Sequence, residues 1–156
     1  MHVNTRPYGP LEVDERQKLH FPFGILGFEH LTEFVLLDAT QQPFYWLQSL
    51  QDPQIAFVLI SPDIFRPDYD PGVPAHELVE IGVNEGDDYL VLAIVTIPED
   101  QERMTANLQG PIVINPRARI GRQSVSMDPR WGVRHVIRDE IARASGSASP
   151  AGTASC

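Results

Sequence analysis

Short runs of apolar residues, separated by polar and proline-containing segments, recur along most of this chain. Three runs follow one another closely, at residues 32–37, 44–50 and 55–60, and each has the length and the turn-forming neighbours of a strand. Residues 89–97 are almost continuously apolar, which predicts a strand that is buried on both faces. Shorter runs predict further strands at residues 9–13, 18–21, 105–108, 111–114 and 123–127.

Many short strands with frequent turn signals are typical of an antiparallel sandwich or a small barrel. A short helix is predicted at residues 75–81, where apolar residues share one helical face, Pro74 suits the first turn and Gly82 follows the end. We therefore predict a mainly β fold: a small antiparallel barrel-like or sandwich domain with one or two short helices.

The pattern changes near the C-terminus. A helix ending at Gly146 is predicted by four apolar residues on one helical stripe: Val133, Val136, Ile137 and Ile141. Residues 145–156 are rich in Ser, Ala, Gly and Pro, which predicts a disordered tail. The chain is thus divided into a β domain at residues 1–137 and a helical extension with a tail at residues 138–156.

Charge is distributed unevenly along the 156 residues, whose formal net charge is −9. Residues 63–102 hold 11 acids and one basic residue, Arg66, a net charge of −10, whereas residues 103–156 hold 3 acids and 8 arginines. An acidic middle region either steers a basic partner or simply solubilises loops, and both interpretations stay open. The overall acid excess disfavours nucleic-acid binding, because phosphate is bound by Lys and Arg.

Residue types that hold metals are sparse. Cys156 is the only cysteine, and the five histidines are scattered without metal-ligand spacing, so we predict no metal centre and no cofactor. No apolar run approaches the roughly 20 residues that a membrane span needs. The N-terminus also lacks the apolar segment of a signal peptide. We therefore expect a cytoplasmic protein that does not bind membranes.

Several motifs recur in a recognisable order. Residues 20–29 read HFPFGILGFE, residues 43–62 read PFYWLQSLQDPQIAFVLISP, and residues 65–69 read FRPDY. Together with the later runs at residues 92–100, 104–108 and 111–116, they resemble the flagellar assembly factor (FliW) family. The resemblance covers roughly residues 6–137, and Ser61 stands where the family usually has an acid. No single motif is specific, but the ordered set is.

The resemblance implies a protein that binds other proteins and is not an enzyme. Members of this family antagonise the RNA-binding translational repressor CsrA, and they also bind flagellin in the cytoplasm. Flagellin that accumulates before export competes for the antagonist and frees CsrA, which then represses flagellin synthesis. An acidic antagonist suits a basic RNA-binding partner, because complementary charge favours their encounter.

Two groups of residues are the candidates for these contacts. We expect the CsrA contact on the acidic middle region, with Tyr69 and its flanking acids facing the surface: Asp68, Tyr69, Asp70, Glu77 and Glu80. Flagellin would offer an amphipathic helix to an apolar groove edged by aromatic residues. The candidates for that groove are Phe44, Tyr45 and Phe65. Trp46 and Phe57 are expected in the core.

Two alternatives come from other functional classes. A small-barrel enzyme or ligand-binding domain would use the carboxylates near Asp68–Asp70 or those of Asp87 and Asp88, in a deep pocket. A direct RNA binder would use a basic footprint in the C-terminal third, formed by Arg117, Arg119, Arg122 and Arg130, with strand aromatics stacking on bases.

Overall fold

The computed structural model describes residues 1–148, which form strands, short loops and two α-helices. The strands are β1 (His2–Thr5), β2 (Gly9–Glu12), β3 (Lys18–His20), β4 (Glu33–Asp38), β5 (Phe44–Ser49), β6 (Ala56–Ile60), β7 (Leu90–Thr96), β8 (Thr105–Ala106), β9 (Ile112–Asn115), β10 (Ile120–Gln123) and β11 (His135–Val136). The helices are α1 (Ala75–Glu80) and α2 (Ile137–Ala148).

Seven strands close a barrel in the order β3, β4, β5, β6, β7, β9 and β10. Neighbouring strands are antiparallel, except that β10 runs parallel to β3 and pairs with it through Ile120 and His20. The ring closes because β7 pairs with both β6 and β9. β8 and β11 extend the sheet from β7. The prediction of a mainly β, barrel-like fold is therefore confirmed.

Alternate residues of the barrel strands point inward and form one apolar core. The strands contribute Leu19, Phe34, Leu47, Leu59, Leu92, Ile112 and Ile114. The loop after β3 adds Phe21, Ile25 and Leu31 to the same cluster, and the Phe21 ring stands edge-on to Phe34 at 5.3 Å between centroids. Phe57 packs against this core as expected, although it is only partly buried.

The outward-facing residues of the barrel are also largely apolar, because other elements cover them. The β1–β2 hairpin covers Val35 of β4, together with the half-buried Trp46. Ile81, just after α1, covers Val113 of β9. Near the C-terminus, Trp131 joins the outward residues of β6 and β7 in a further cluster. Strands covered on both faces carry continuous apolar runs instead of alternating ones.

The strand predictions were wrong in four places, one of which is β11, where a helix was predicted. β1 was missed, and residues 105–108 form only the two-residue strand β8. Residues 124–127, predicted to lie in a strand, have no regular structure, and β10 instead begins at Ile120, three residues before the predicted strand. Ser124 donates a backbone hydrogen bond to Pro111 at 2.9 Å, but proline has no N–H to return, so no ladder forms.

The short helix α1 confirms the prediction for residues 75–81, with Pro74 as its N-cap. The C-terminal helix begins later than predicted. Val133 lies before α2, and Val136 belongs to β11. Residues 145–148, including Gly146, are helical, so the predicted cap and the start of the predicted disorder are wrong there. Residues 149–156, with Cys156, lie outside the described residues.

Candidate functional site

The loop after β6 carries the predicted acidic site, and Arg66 organises it. Arg66 donates from Nε and Nη2 to the two carboxylate oxygens of Asp68, at 2.9 and 3.0 Å. Its Nη1 donates to Oε1 of Glu140 on α2 at 2.6 Å. The hydrogen bonds from Arg66 lower the pKa of Asp68, so this carboxylate is ionised at neutral pH. The Asp68 side chain is 57% exposed and presents its charge at the surface.

Tyr69 is half-buried and packs toward the barrel, so the prediction that it faces the surface is wrong for most of its side chain. Its ring stands edge-on to Trp131 with 4.8 Å between centroids, and its hydroxyl donates to the Leu108 carbonyl at 2.7 Å. Burial, reinforced by the negative charge of Asp70, raises the pKa of Tyr69. A tyrosine whose hydroxyl finds a buried acceptor keeps its ring in the apolar interior without leaving a polar atom unpaired.

Trp131 is the base of this loop, and sequence reasoning did not assign it to the site. Its ring is 1% exposed, and its indole N–H donates to the Asp70 carbonyl at 2.8 Å. The guanidinium carbons of Arg66 and Arg130 lie 4.6 and 4.9 Å from the Trp131 ring centroid. The only local signal was a bulky aromatic residue beside a glycine, which says nothing about a partner far away in the chain.

Glu77 and Glu80 lie on α1 and pair with Arg122 of β10. The nearest nitrogen–oxygen distances are 3.8 Å to Glu77 and 3.2 Å to Glu80. Glu77 and Arg122 are mostly buried, whereas the Glu80 side chain is 40% exposed. The predicted CsrA residues therefore form two groups, Asp68–Asp70 packed on Trp131 and the two glutamates paired with Arg122.

The three aromatic residues predicted to bind flagellin do not share one surface. Phe65 is 0% exposed, so the prediction that it lines a groove for a partner is wrong. Its ring fills the cluster beneath the loop and holds the loop against the barrel. Phe44 is half-buried and lines an outer groove of about 310 Å³ with Trp46 and Ile97. Tyr45 occupies the next strand position and packs against the barrel core.

Tyr45 and Tyr69, predicted for different partners, line the same cavity. It has a volume of about 380 Å³ and is also lined by Asp63 and Leu90. Asp63 accepts a hydrogen bond from the Ser61 hydroxyl at 2.6 Å, and the Tyr69 hydroxyl is occupied by Leu108. The Ser61, Asp63 and Tyr69 side chains of this cavity are thus engaged in structural hydrogen bonds.

Two of the carboxylates named for an enzyme or ligand-binding domain, Asp68 and Asp87, are also engaged. Asp68 is held by Arg66, and Asp87 lies 3.4 Å from Arg117 and accepts a hydrogen bond from the backbone of Asn84 at 2.9 Å. Within residues 1–148, no group of three or more His, Cys, Asp or Glu is placed to hold a metal ion. Engaged carboxylates are poor candidates for proton transfer to a substrate.

The arginines named for RNA binding are likewise paired, in three cases out of four. Arg117 pairs with Asp87, Arg122 with the two glutamates of α1, and Arg130 with Asp128 at 2.8 Å. A phosphate would have to compete with these carboxylates. The structure therefore offers RNA a weaker footprint than the count of arginines suggested.

Known proteins resemble this chain in both sequence and fold. A family model described as FliW protein matches residues 2–137. The chain belongs to the FliW family. A flagellar assembly factor FliW from Leptospira interrogans (serogroup Icterohaemorrhagiae serovar Lai, strain 56601) is 44% identical over 144 residues, which cover 91% of this chain and 96% of that protein. One from Moorella thermoacetica is 43% identical over 142 residues and covers 90% of each chain.

A solved structure agrees with this assignment. The crystal structure of a flagellar assembly factor FliW superposes with a TM-score of 0.80 at 32% identity, covering 88% of this chain and 96% of that one. The FliW family match ends at Ile137, which is the first residue of α2. Among the helices in residues 1–148, none combines the length and apolar character that crossing a bilayer requires.

Proposed function

We propose that this protein is a flagellar assembly factor that binds the translational repressor CsrA and cytoplasmic flagellin, and has no enzymatic role. The observation that carries this proposal is membership of the FliW family over residues 2–137. The relatives are named flagellar assembly factors, and the alignment with this chain covers nearly their whole length. The two partners come from the resemblance of the ordered motifs to the FliW family.

The proposed mechanism is an exchange of partners in the cytoplasm. The free protein holds CsrA and keeps it from flagellin messenger RNA, so that flagellin is synthesised. Flagellin that has not been exported displaces CsrA, which then represses its synthesis. Export of flagellin frees the protein again, and translation is thereby coupled to flagellum assembly.

We propose the Asp68–Asp70 loop as the contact with CsrA. Asp68 is ionised and exposed, and the loop is held in place by Trp131 and by the buried Phe65. A rigid loop loses little conformational freedom on binding, which favours affinity. The net charge of −9 supports the encounter with a basic partner at low salt. Glu80, half-exposed on α1 and paired with Arg122, is a second and separate candidate.

The experiment is a calorimetric titration of the protein with CsrA from the same bacterium, alone and with flagellin present. Binding of CsrA that flagellin weakens is the expected result. A wild-type protein that binds neither CsrA nor flagellin would reject the proposed function.

A double variant, Asp68→Lys with Asp70→Lys, tests the proposed surface. We expect it to abolish CsrA binding, because it reverses two charges at the contact. The matched control reverses two other exposed acids, Glu85→Lys with Glu99→Lys, and changes the net charge equally. Equal affinity of the Asp68 variant and the control for CsrA would reject this surface while leaving the proposed function standing.

A further inference from the structure

Exposed apolar side chains are concentrated beside the loop after β3. Phe23, Leu26, Val125 and Val133 line one groove, named here the Phe23 groove, and are 49%, 76%, 54% and 52% exposed. A contiguous apolar patch of this kind on a soluble protein is typical of an interaction site. None of these four residues was among the candidates from the sequence.

Two polar residues that line the Phe23 groove, Gln123 and Asn107, form hydrogen bonds with backbone groups around it. Gln123 accepts a hydrogen bond from the Leu26 backbone N–H at 2.9 Å, and its amide nitrogen donates to the Gly110 carbonyl at 3.0 Å. Asn107 accepts from the Gly110 N–H at 2.8 Å. These bonds join the loop after β3 to β10 and to residues 107–110, so the groove is formed before a partner arrives. Affinity must therefore come from apolar side chains that fill it.

The volume of the Phe23 groove and its one charged residue limit the kind of partner that can bind there. The groove has a volume of about 180 Å³, below the roughly 300–1,000 Å³ of small-molecule sites, and suits one or two apolar side chains of a protein segment. Glu29 is the one charged residue that lines it. Its carboxylate accepts from the Gly27 N–H at 2.9 Å, and backbone hydrogen bonds from Gly27 and Glu29 lower its pKa, so it is ionised. The guanidinium carbon of Arg122 lies 5.0 Å from the Phe23 ring centroid, but this cation is paired with the two glutamates of α1. The carboxylate of Glu29 therefore favours a segment with a Lys or Arg beside its apolar anchor.

We infer that the Phe23 groove is the docking site for an apolar segment of flagellin. This inference rests on the proposed function, since it assigns the groove to one of the two proposed partners. An RNA-binding protein presents a basic surface, for which the Asp68–Asp70 loop is the better match. The Phe23 groove combines four exposed apolar side chains with a single carboxylate, so its partner is mainly apolar. The Phe23 groove thereby replaces Phe44, Tyr45 and Phe65, which do not share one surface, as the candidate flagellin site.

Two single variants, Leu26→Asp and Val125→Asp, test the groove by placing a charge among its apolar side chains. Both positions are exposed, and circular dichroism and thermal unfolding confirm that each variant is folded. We expect each to weaken monomeric flagellin binding at least about tenfold, as for a central anchor contact. CsrA affinity, measured in the same way, should change less than about twofold.

The matched control is Ile97→Asp, at another exposed apolar residue, in the groove that Phe44 lines. It should leave flagellin affinity unchanged. Glu29→Gln removes the charge but keeps an oxygen acceptor for the Gly27 N–H. We expect it to weaken flagellin binding several-fold at low salt and to match the wild type at about 1 M salt, where charges are screened within about 3 Å.

Three results would overturn the inference. The first is flagellin affinity that Leu26→Asp and Val125→Asp leave at the wild-type value. The second is a loss of flagellin binding in Ile97→Asp, which would assign flagellin to the Phe44 groove. The third is an equal loss of CsrA affinity in the Leu26 and Val125 variants. Each of them leaves wild-type binding intact and is thereby distinct from failure of the proposed function.

Discussion

Arg66 and Glu140 form an ion pair in which Nη1 donates to Oε1 at 2.6 Å, and this pair joins the loop after β6 to helix α2. The side chains are 14% and 5% exposed. Glu140 also lies 3.6 Å from His135, and Arg66 has Asp68 as its second carboxylate partner. The helix that follows the family match is thus attached to the same arginine that orders the proposed CsrA loop.

The first prediction is that Glu140→Ala destabilises the protein by about 3 kcal/mol. Removing Glu140 takes away the buried partner of Arg66 and leaves the half-exposed Asp68 as its remaining carboxylate partner. Urea unfolding followed by circular dichroism measures the change. The control is Glu102→Ala, which breaks the exposed pair with Arg138 and should cost less than about 1 kcal/mol. Equal losses for both variants would show that Glu140 is not a structural partner.

The second prediction concerns the hydroxyl of Tyr69. Tyr69→Phe keeps the ring on Trp131 but leaves the Leu108 carbonyl without its donor, so we expect a loss of about 1–2 kcal/mol in unfolding free energy. Tyr89→Phe, at the same cavity, is the matched control and should change stability by less than about 0.5 kcal/mol. Identical urea midpoints for the two variants would argue against the Leu108 hydrogen bond.

The strands could be predicted where burial on both faces requires a continuous run of apolar residues. Residues 44–50 and 55–60 are such segments, and they agree with β5 and β6 within about one residue at each end. β1 could not be predicted because its four residues include one apolar side chain, Val3, and depend on pairing with β2. Residues 124–127 alternate like a strand, yet their apolar members face solvent.

The candidate site was harder to predict, because it is made from contacts between distant loops. Periodicity reports which face of one element is buried, but it says nothing about which other element covers that face. Tyr69 meets Trp131 and Arg66 meets Glu140 across long stretches of chain, and no spacing rule joins them. Composition selected the acids as one region, whereas the fold separates Asp68, paired with Arg66, from Glu77 and Glu80, paired with Arg122.

The third prediction is a loss of stability in acid. Hydrogen bonds from Arg16 lower the pKa of Asp14 to about 2, and those from Arg66 lower the pKa of Asp68. A folded pKa below the unfolded value, which is 3.8 for Asp14, stabilises the protein above pH 3.8. That contribution is lost as the pH falls toward about 2. Urea midpoints measured between pH 6 and 2 should therefore decline most steeply below about pH 4, because aspartates with a lowered pKa take up their protons there.

Its control is Asp14→Asn with Asp68→Asn, which removes both titrating groups. This variant should be less stable at neutral pH and should show a shallower decline in acid than the wild type. An acid profile with the wild-type slope would mean that other carboxyl groups cause the decline.

The fourth prediction contrasts two glycines of the loop that bears the Phe23 groove. Gly24 and Gly27 both have positive φ, at 65° and 88°, so an alanine at either position costs about 1–2 kcal/mol in backbone strain. A Cβ on Gly24 would also lie 2.5 Å from Cα of Glu29, whereas one on Gly27 meets nothing within 4 Å. Backbone atoms cannot move aside as a flexible side chain can. Gly24→Ala should therefore destabilise the protein clearly more than Gly27→Ala.

Urea unfolding measures both costs, and flagellin titration measures their effect on the groove. Displacing Glu29 by the Gly24 substitution moves the one carboxylate of the Phe23 groove, so Gly24→Ala should weaken flagellin binding as well. Gly27→Ala keeps the Glu29 backbone in place and should bind flagellin nearly as the wild type does. If Gly24→Ala and Gly27→Ala lose the same stability and the same affinity, the close approach of Gly24 to Glu29 does not shape this loop. A loss of stability and flagellin affinity in Gly24→Ala alone would show that the close packing of Gly24 positions the Glu29 carboxylate for the proposed partner.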